Sequence, residues 1–265
     1  MGLSDNMIHP SATIDSTARI DSDVEIGANA YIGPNVAIGQ GTKIYPNAVI
    51  LQNTTMGKNN QVHSFAVLGG DPQDTGYKGE PTFLEIGDNN IFREGSTVNR
   101  ATVKADGITR IGNNNYLMSY AHIAHDCQVG NNNVMVNYSC LAGHVLLENN
   151  VTISAYCAVH QFSRVGSYSF LVHGALVEKD ILPYVVASSR NKSTATIHGL
   201  NIRGLKRNGF SKEAIHGLRD AYKVLFMQNL PIDEALSILT EMQKNCPEIK
   251  VWLDFMAASQ RGFVR

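Results

Sequence analysis

No stretch of the chain approaches the roughly eighteen consecutive apolar residues needed to cross a bilayer. The opening "MGLSDNMIHP" also lacks the basic and apolar regions of a secretory leader. These absences argue against an integral membrane segment and make the cytoplasm the expected location. A surplus of one charge is missing too: 22 Lys and Arg stand against 23 Asp and Glu, so the net charge is -1 and nucleic acid is not an expected partner. The four cysteines (Cys127, Cys140, Cys157 and Cys246) form no CxxC pair, which disfavours a disulfide framework or a zinc ribbon. There is no GxxxxGK[ST], so the glycines are not a phosphate-binding loop. With 43% hydrophobic residues, the 265-residue chain can bury a sizeable core, which excludes wholesale disorder.

The pattern that is present has a period of six. Stepping from Ile8 meets Ile14, Ile20, Ile26, Ile32, Ile38, Ile44, Ile50, Met56, Val62 and Leu68. The phase breaks over "GGDPQDTGYKGEPT", resumes at Ile86, Phe92 and Val98, breaks again, and restarts one residue displaced at Ile111. From there every sixth residue is aliphatic as far as Val177. Neither a helix nor plain strand alternation needs one aliphatic side chain in six. Short strands separated by corners do: three hexads close one triangular coil, and each strand pairs in parallel with the strand three hexads on. Runs such as "GNNN" at 112–115 and 130–133 suit the corners, where Gly and Asn tolerate left-handed backbone.

After "DILPYVVASSRNKSTATIHG" the period becomes helical. Ser211 can cap one helix, Pro231 can open a second and Pro247 a third, each with an apolar stripe. The expected organisation is a parallel β-helix over 1–182, with loop insertions near 69–85 and 99–110, followed by a linker and helical domain over 183–265.

Within the prism, "AHIAHDC" at 121–127 cannot be a helical HxxH zinc site, because Ile123 is an inward strand position. Positions three hexads apart lie one above another at about 4.8 Å, which puts Gly143 over His125, Gln161 over Gly143, and His144 over Asp126. An imidazole suits the proton transfer of acyl transfer to a hydroxyl, and a glycine N–H can approach a tetrahedral oxyanion closely. His125 is therefore the candidate base, Asp126 its orienting partner and Gly143 the oxyanion donor, with "VHQF" around His160 bordering the same patch. His9, His63 and His216 read as ordinary surface or core residues.

The hexads resemble those of the left-handed parallel β-helix acyltransferases. The left hand is taken from that resemblance, since it opposes the usual crossover preference. Together "QDTGYKGEPT", "AHIAHDC", "LAGHV", "AVHQF" and "GLNIRGLKRNGFS" are similar, over nearly the whole chain, to the UDP-N-acetylglucosamine 3-O-acyltransferase family. The resemblance implies the first step of lipid A synthesis, a homotrimer with sites between subunits, a 3-hydroxyacyl donor on acyl carrier protein, and neither cofactor nor metal. It assigns His125 as base and Gly143 as oxyanion donor, with Gln73, Asp74, His122, His144, His160 and Gln161 as sugar and acyl contacts. Asn201 and Arg207 match its nucleotide motif, and His173 stands where a side chain limits acyl length. There are departures: Gly76 replaces a common lysine, Asn99 a frequent histidine, and Arg203 and Asn208 a typical Glu and Arg.

Residues 190–223 carry eight Lys or Arg against Glu213 and Asp220, which suits an acidic carrier protein and a diphosphate. Two other readings share the prism. A related N-acyltransferase usually carries an extra N-terminal domain, for which hexads starting at Ile8 leave no room. A zinc lyase similar to the gamma carbonic anhydrases would place three histidines at a subunit interface.

Overall fold

The computed structural model describes residues 8–189 and 193–265. Short strands, most of two residues, recur every six positions and stack into three sheets of nine, eight and ten strands, parallel except for the last strand of the third, as the faces of a triangular prism. The six-step apolar side chains point inward: Ile32, Ile50, Val62, Leu68, Phe92, Ile123, Leu141 and Leu171 are all fully buried. The fold is therefore mainly β, a parallel β-helix of hexapeptide repeats, and helices follow it.

Strand register explains both phase breaks. Val67 pairs with Val49 in the coil below at the regular spacing of three hexads, but with Thr97 in the coil above, five hexads on. That excursion inserts two whole hexads, and the phase survives. Ile86 pairs with Ile111, one position beyond four hexads, so the second excursion inserts a hexad and one residue more and slips the phase by one. Both loops leave the prism on successive coils, and the second returns Thr102 to the carboxylate of Asp126 beside His125.

The corners differ from the expectation in one respect. The third residue of each "GNNN" takes the left-handed backbone, with φ 57° at Asn114 and 59° at Asn132, while Gly112 and Gly130 do not. Those glycines are needed for closeness: a Cβ on Gly112 would stand 2.7 Å from the Gly130 carbonyl oxygen. Three corner columns run up this part of the prism, Asp126–His144–Phe162, Tyr120–Tyr138–Tyr156 and Asn114–Asn132–Asn150–Tyr168, all at positive φ. A left-handed tyrosine costs about 1–2 kcal/mol. The parallel stacking of Tyr120 on Tyr138 and Tyr138 on Tyr156, at 5.0 and 5.1 Å between ring centres, offsets part of that cost, about 0.5–1.5 kcal/mol per pair.

The third sheet ends at Val185–Ser188, which Thr196–Leu200 joins antiparallel. Four helices follow: α1 (Ile202–Arg207), α2 (Lys212–Phe226), α3 (Ile232–Met242) and α4 (Ile249–Ala257). Ser211 caps α2 as expected, its hydroxyl accepting from Ala214 N–H at 3.0 Å. α3 begins behind Pro231 and α4 two residues after Pro247. α1 and the Thr196–Leu200 strand were not foreseen, because each is too short to show a period. Trp252 pins the helices to the prism, fully buried and donating from Nε1 to Pro183 O at 2.7 Å.

Candidate active site

His125 follows the strand His122–Ile123 and turns into the left-handed corner at Asp126, whose φ is 62°. This corner folds the Asp126 carboxylate back against the preceding ring: Oδ2 lies 2.7 Å from His125 Nδ1. The carboxylate is fully buried and further held by Thr102, whose N–H and hydroxyl donate at 3.1 and 2.8 Å. Asp126 N–H in turn donates to Thr109 Oγ1 at 2.8 Å. An ionised carboxylate so supplied with donors fixes the tautomer beside it. With Nδ1–H donating to Asp126, the lone pair of His125 is on Nε2.

One coil above, Gly143 lies against that imidazole. A Cβ there would stand 2.5 Å from Cε1 and 2.7 Å from Nε2, so only glycine lets the ring sit where it does. Gly143 O accepts from Phe162 N–H at 3.1 Å, whereas its own N–H has no partner among the described residues. His144 meets His125 edge-on with ring centres 5.3 Å apart, lies 3.5 Å from Asp126 Oδ2, and stacks on Phe162 at 4.5 Å. Burial holds His144 below the usual imidazole value against the pull of Asp126, helped by His125 and Lys104. Burial also lowers His122, which shares a 2.7 Å hydrogen bond with Thr97 Oγ1. Both imidazoles are therefore biased to the neutral form. Cys127 is no rival nucleophile: it is buried, its thiol pushed up to about 12 by that burial.

The other candidates are less concentrated. Asp74 reaches the patch from the first excursion, held low by its bond to Lys104, while Gln73 beside it is exposed. His160 and Gln161 are exposed one coil above Gly143, with His160 Nδ1 3.0 Å from Gln161 O. His173 belongs to a different corner, edge-on to Tyr156 at 5.5 Å, and borders a surface concavity with Gly174, Val186 and His198. Asn201 belongs to the third, donating from Nδ2 to Tyr168 O at 2.8 Å while Oδ1 caps α1 by accepting from Gly204 N–H. Arg207 is exposed at the end of α1. Of the basic run, Arg190 and Lys192 lie outside the described residues; Arg203, Lys206, Lys212 and Arg219 are exposed, and Lys223 pairs with Asp220 at 2.7 Å.

Residues not anticipated from sequence are Thr102, Thr109, Arg100 and Lys104. Arg100 is buried and holds the first excursion by donating to Gly69 O and Asp71 Oδ1. The only trace of them in the sequence is the one-residue phase slip, which marks the second loop without saying where it returns.

His125, Asp126 and His144 are the one group among the described residues whose ligand atoms converge as a metal site could, within 4.8 Å. The hydrogen bonding fits a metal poorly, since Asp126 Oδ2, the oxygen nearest both imidazoles, already accepts from Thr102 and His125. Treatment with a chelator is therefore expected to leave activity unchanged; loss on chelation with recovery on adding zinc would reverse this reading.

A hexapeptide prism carrying a carboxylate-oriented imidazole beside a glycine N–H with no partner among the described residues has what a hexapeptide-repeat acyltransferase needs. Residues 35–70 and 108–143 match the family described as bacterial transferase hexapeptide (six repeats), and residues 180–264 match Udp N-acetylglucosamine O-acyltransferase, Domain 2. The acyl-[acyl-carrier-protein]--UDP-N-acetylglucosamine O-acyltransferase of Stenotrophomonas maltophilia is 43% identical over 265 residues, covering 99% of this chain and 100% of its own. The UDP-N-acetylglucosamine acyltransferase structure from Francisella novicida superposes with a TM-score of 0.94 at 40% identity, covering 97% of this chain and 94% of that one. That of the Moraxella catarrhalis O-acyltransferase gives 0.93 at 43%, covering 98% and 100%. The chain belongs to the acyl-[acyl-carrier-protein]--UDP-N-acetylglucosamine O-acyltransferase family.

Proposed function

We propose that this protein transfers a (3-hydroxy)acyl group from acyl carrier protein to the 3-position of UDP-N-acetylglucosamine, the first step of lipid A biosynthesis. The observation that carries the mechanism is the His125–Asp126 bond under Gly143. His125 Nε2 takes the proton from the sugar 3-hydroxyl as that oxygen attacks the thioester carbonyl. The carbonyl oxygen gains negative charge and is met by Gly143 N–H. The intermediate collapses, the carbon–sulfur bond breaks, and the carrier thiolate recovers the proton from the imidazolium that Asp126 has stabilised. Asp74, Gln73, His122, His144, His160 and Gln161 hold sugar and acyl chain, and Asn201 and Arg207 the nucleotide.

The site is read as lying between subunits of a homotrimer. The base, His173 and Asn201 belong to three different corner columns, so one prism cannot wrap a single substrate with all of them, whereas a cleft between prisms can. No described helix is long and apolar enough to cross a membrane, in keeping with a reaction between soluble substrates in the cytoplasm.

The decisive experiment is incubation with UDP-N-acetylglucosamine and a panel of acyl carrier thioesters, followed by mass analysis and mild alkali. An alkali-labile monoacyl product is expected. No product with any donor would refute the function, and an alkali-stable amide would point to a 3-amino acceptor.

The same panel tests the acyl ruler. Residues 125 and 173 are 48 positions apart, about 2.7 coils, or about 13 Å at the strand spacing. Each chain carbon advances a little under ~1.5 Å, so His173 should stop donors at roughly ten to twelve carbons. His173→Gly is expected to move the preference to longer donors with little change in maximal rate, and an unshifted profile would put the end of the groove elsewhere.

A further inference from the structure

The two excursions from the prism meet beside the active site, and the side chain that joins them is Lys104. Its Nζ lies 2.8 Å from Oδ1 and 2.6 Å from Oδ2 of Asp74, a two-pronged contact between loops whose residues are 30 positions apart. Gly76 N–H donates to the same Oδ1 at 2.7 Å. The lysine side chain is 55% exposed and the carboxylate 14%, so the acid is tucked in and the ammonium closes over it from outside. A Cβ built on Gly76 would stand 3.2 Å from Lys104 Nζ and 3.5 Å from its Cε. The lysine therefore fills the space that a side chain at position 76 would enter. Lys104 lowers the His144 imidazole and Asp74 raises it, which puts the pair at the edge of the catalytic cluster.

A plain surface ion pair contributes only about 0–1 kcal/mol to stability. This one has a geometry suited to more. An ionised carboxylate offers about four acceptor positions; Lys104 and Gly76 take three, which leaves one for a substrate hydroxyl. We infer that Lys104 is a positioning residue for the sugar acceptor, clamping the Asp74 carboxylate so that its remaining lone pair receives a hydroxyl of the hexose. This rests on reading Asp74 as a sugar contact.

Steady-state kinetics of four variants test it. Lys104→Ala is expected to raise KM for the sugar nucleotide about tenfold, the worth of one charge-assisted hydrogen bond, with kcat changed by less than about twofold. Lys104→Arg should keep KM near normal, because the guanidinium also offers two donors to a carboxylate. Adding Gly76→Lys to Lys104→Ala should restore most of the loss, since the vacated space is reached from that α-carbon. Asp74→Asn serves as the reference. If Asp74→Asn raises KM and Lys104→Ala does not, the positioning role is wrong and the sugar contact stands. If Asp74→Asn leaves KM unchanged, the sugar contact itself fails. A loss in Lys104→Ala that neither Arg nor the relocated lysine recovers would also overturn the inference, because the charge would not be what matters.

Discussion

His125→Ala is expected to lower turnover by about a hundredfold or more, the usual cost of removing a general base. The loss should fall on kcat, because the imidazole is proposed to act on the proton in flight and makes no other contact with the sugar. Folding should survive. The buried Asp126 carboxylate keeps the Thr102 N–H and hydroxyl, with His144 at 3.5 Å, so the variant loses one of that carboxylate's hydrogen-bond donors, about 1–3 kcal/mol of stability. A melting curve beside the rate assay separates the two effects. Near-normal turnover in a folded variant would remove His125 from the mechanism.

Gly143→Ala should be comparably damaging through one added methyl group. The new Cβ would need the place now held by His125 Cε1 and Nε2, at 2.5 and 2.7 Å, and contacts that short do not exist. The imidazole is tied to Asp126 behind it, so ring and corner must move together, away from the N–H proposed to receive the oxyanion. A misplacement on the order of 1 Å costs about a hundredfold in rate, and overpacking of this kind about 1–3 kcal/mol in stability. The measurement is kcat with the melting temperature alongside. A variant that melts early yet turns over normally would show Gly143 to be a packing residue only.

Much of this arrangement was legible in the one-dimensional pattern. A single obligatory aliphatic in every hexad can only be satisfied by a triangular coil, and once three hexads make a turn, His125, Gly143, Asp126 and His144 must be stacked neighbours. Asp126 reads from sequence as the orienting partner of His125, but the geometry of their 2.7 Å bond does not, because it depends on Asp126 adopting φ 62°, which hexad counting does not distinguish from an ordinary bend. The glycines of the "GNNN" runs were legible as corner residues, but for a reason that differs from the real one: the next coil's backbone stands where a Cβ would go, 2.7 Å from it at Gly112, and the left-handed turn is taken by the asparagine two residues later.

What the sequence by itself determined is everything governed by strict periodicity: the prism, its parallel pairing, the stacked columns and the positions where the pattern breaks. Only the tertiary structure decided how the two excursions return. Thr102 reaches Asp126 across 24 residues and Lys104 reaches Asp74 across 30, both from loops with no period of their own. Side chains on aperiodic segments find their partners through the path of the folded backbone, and spacing along the chain carries no record of that path.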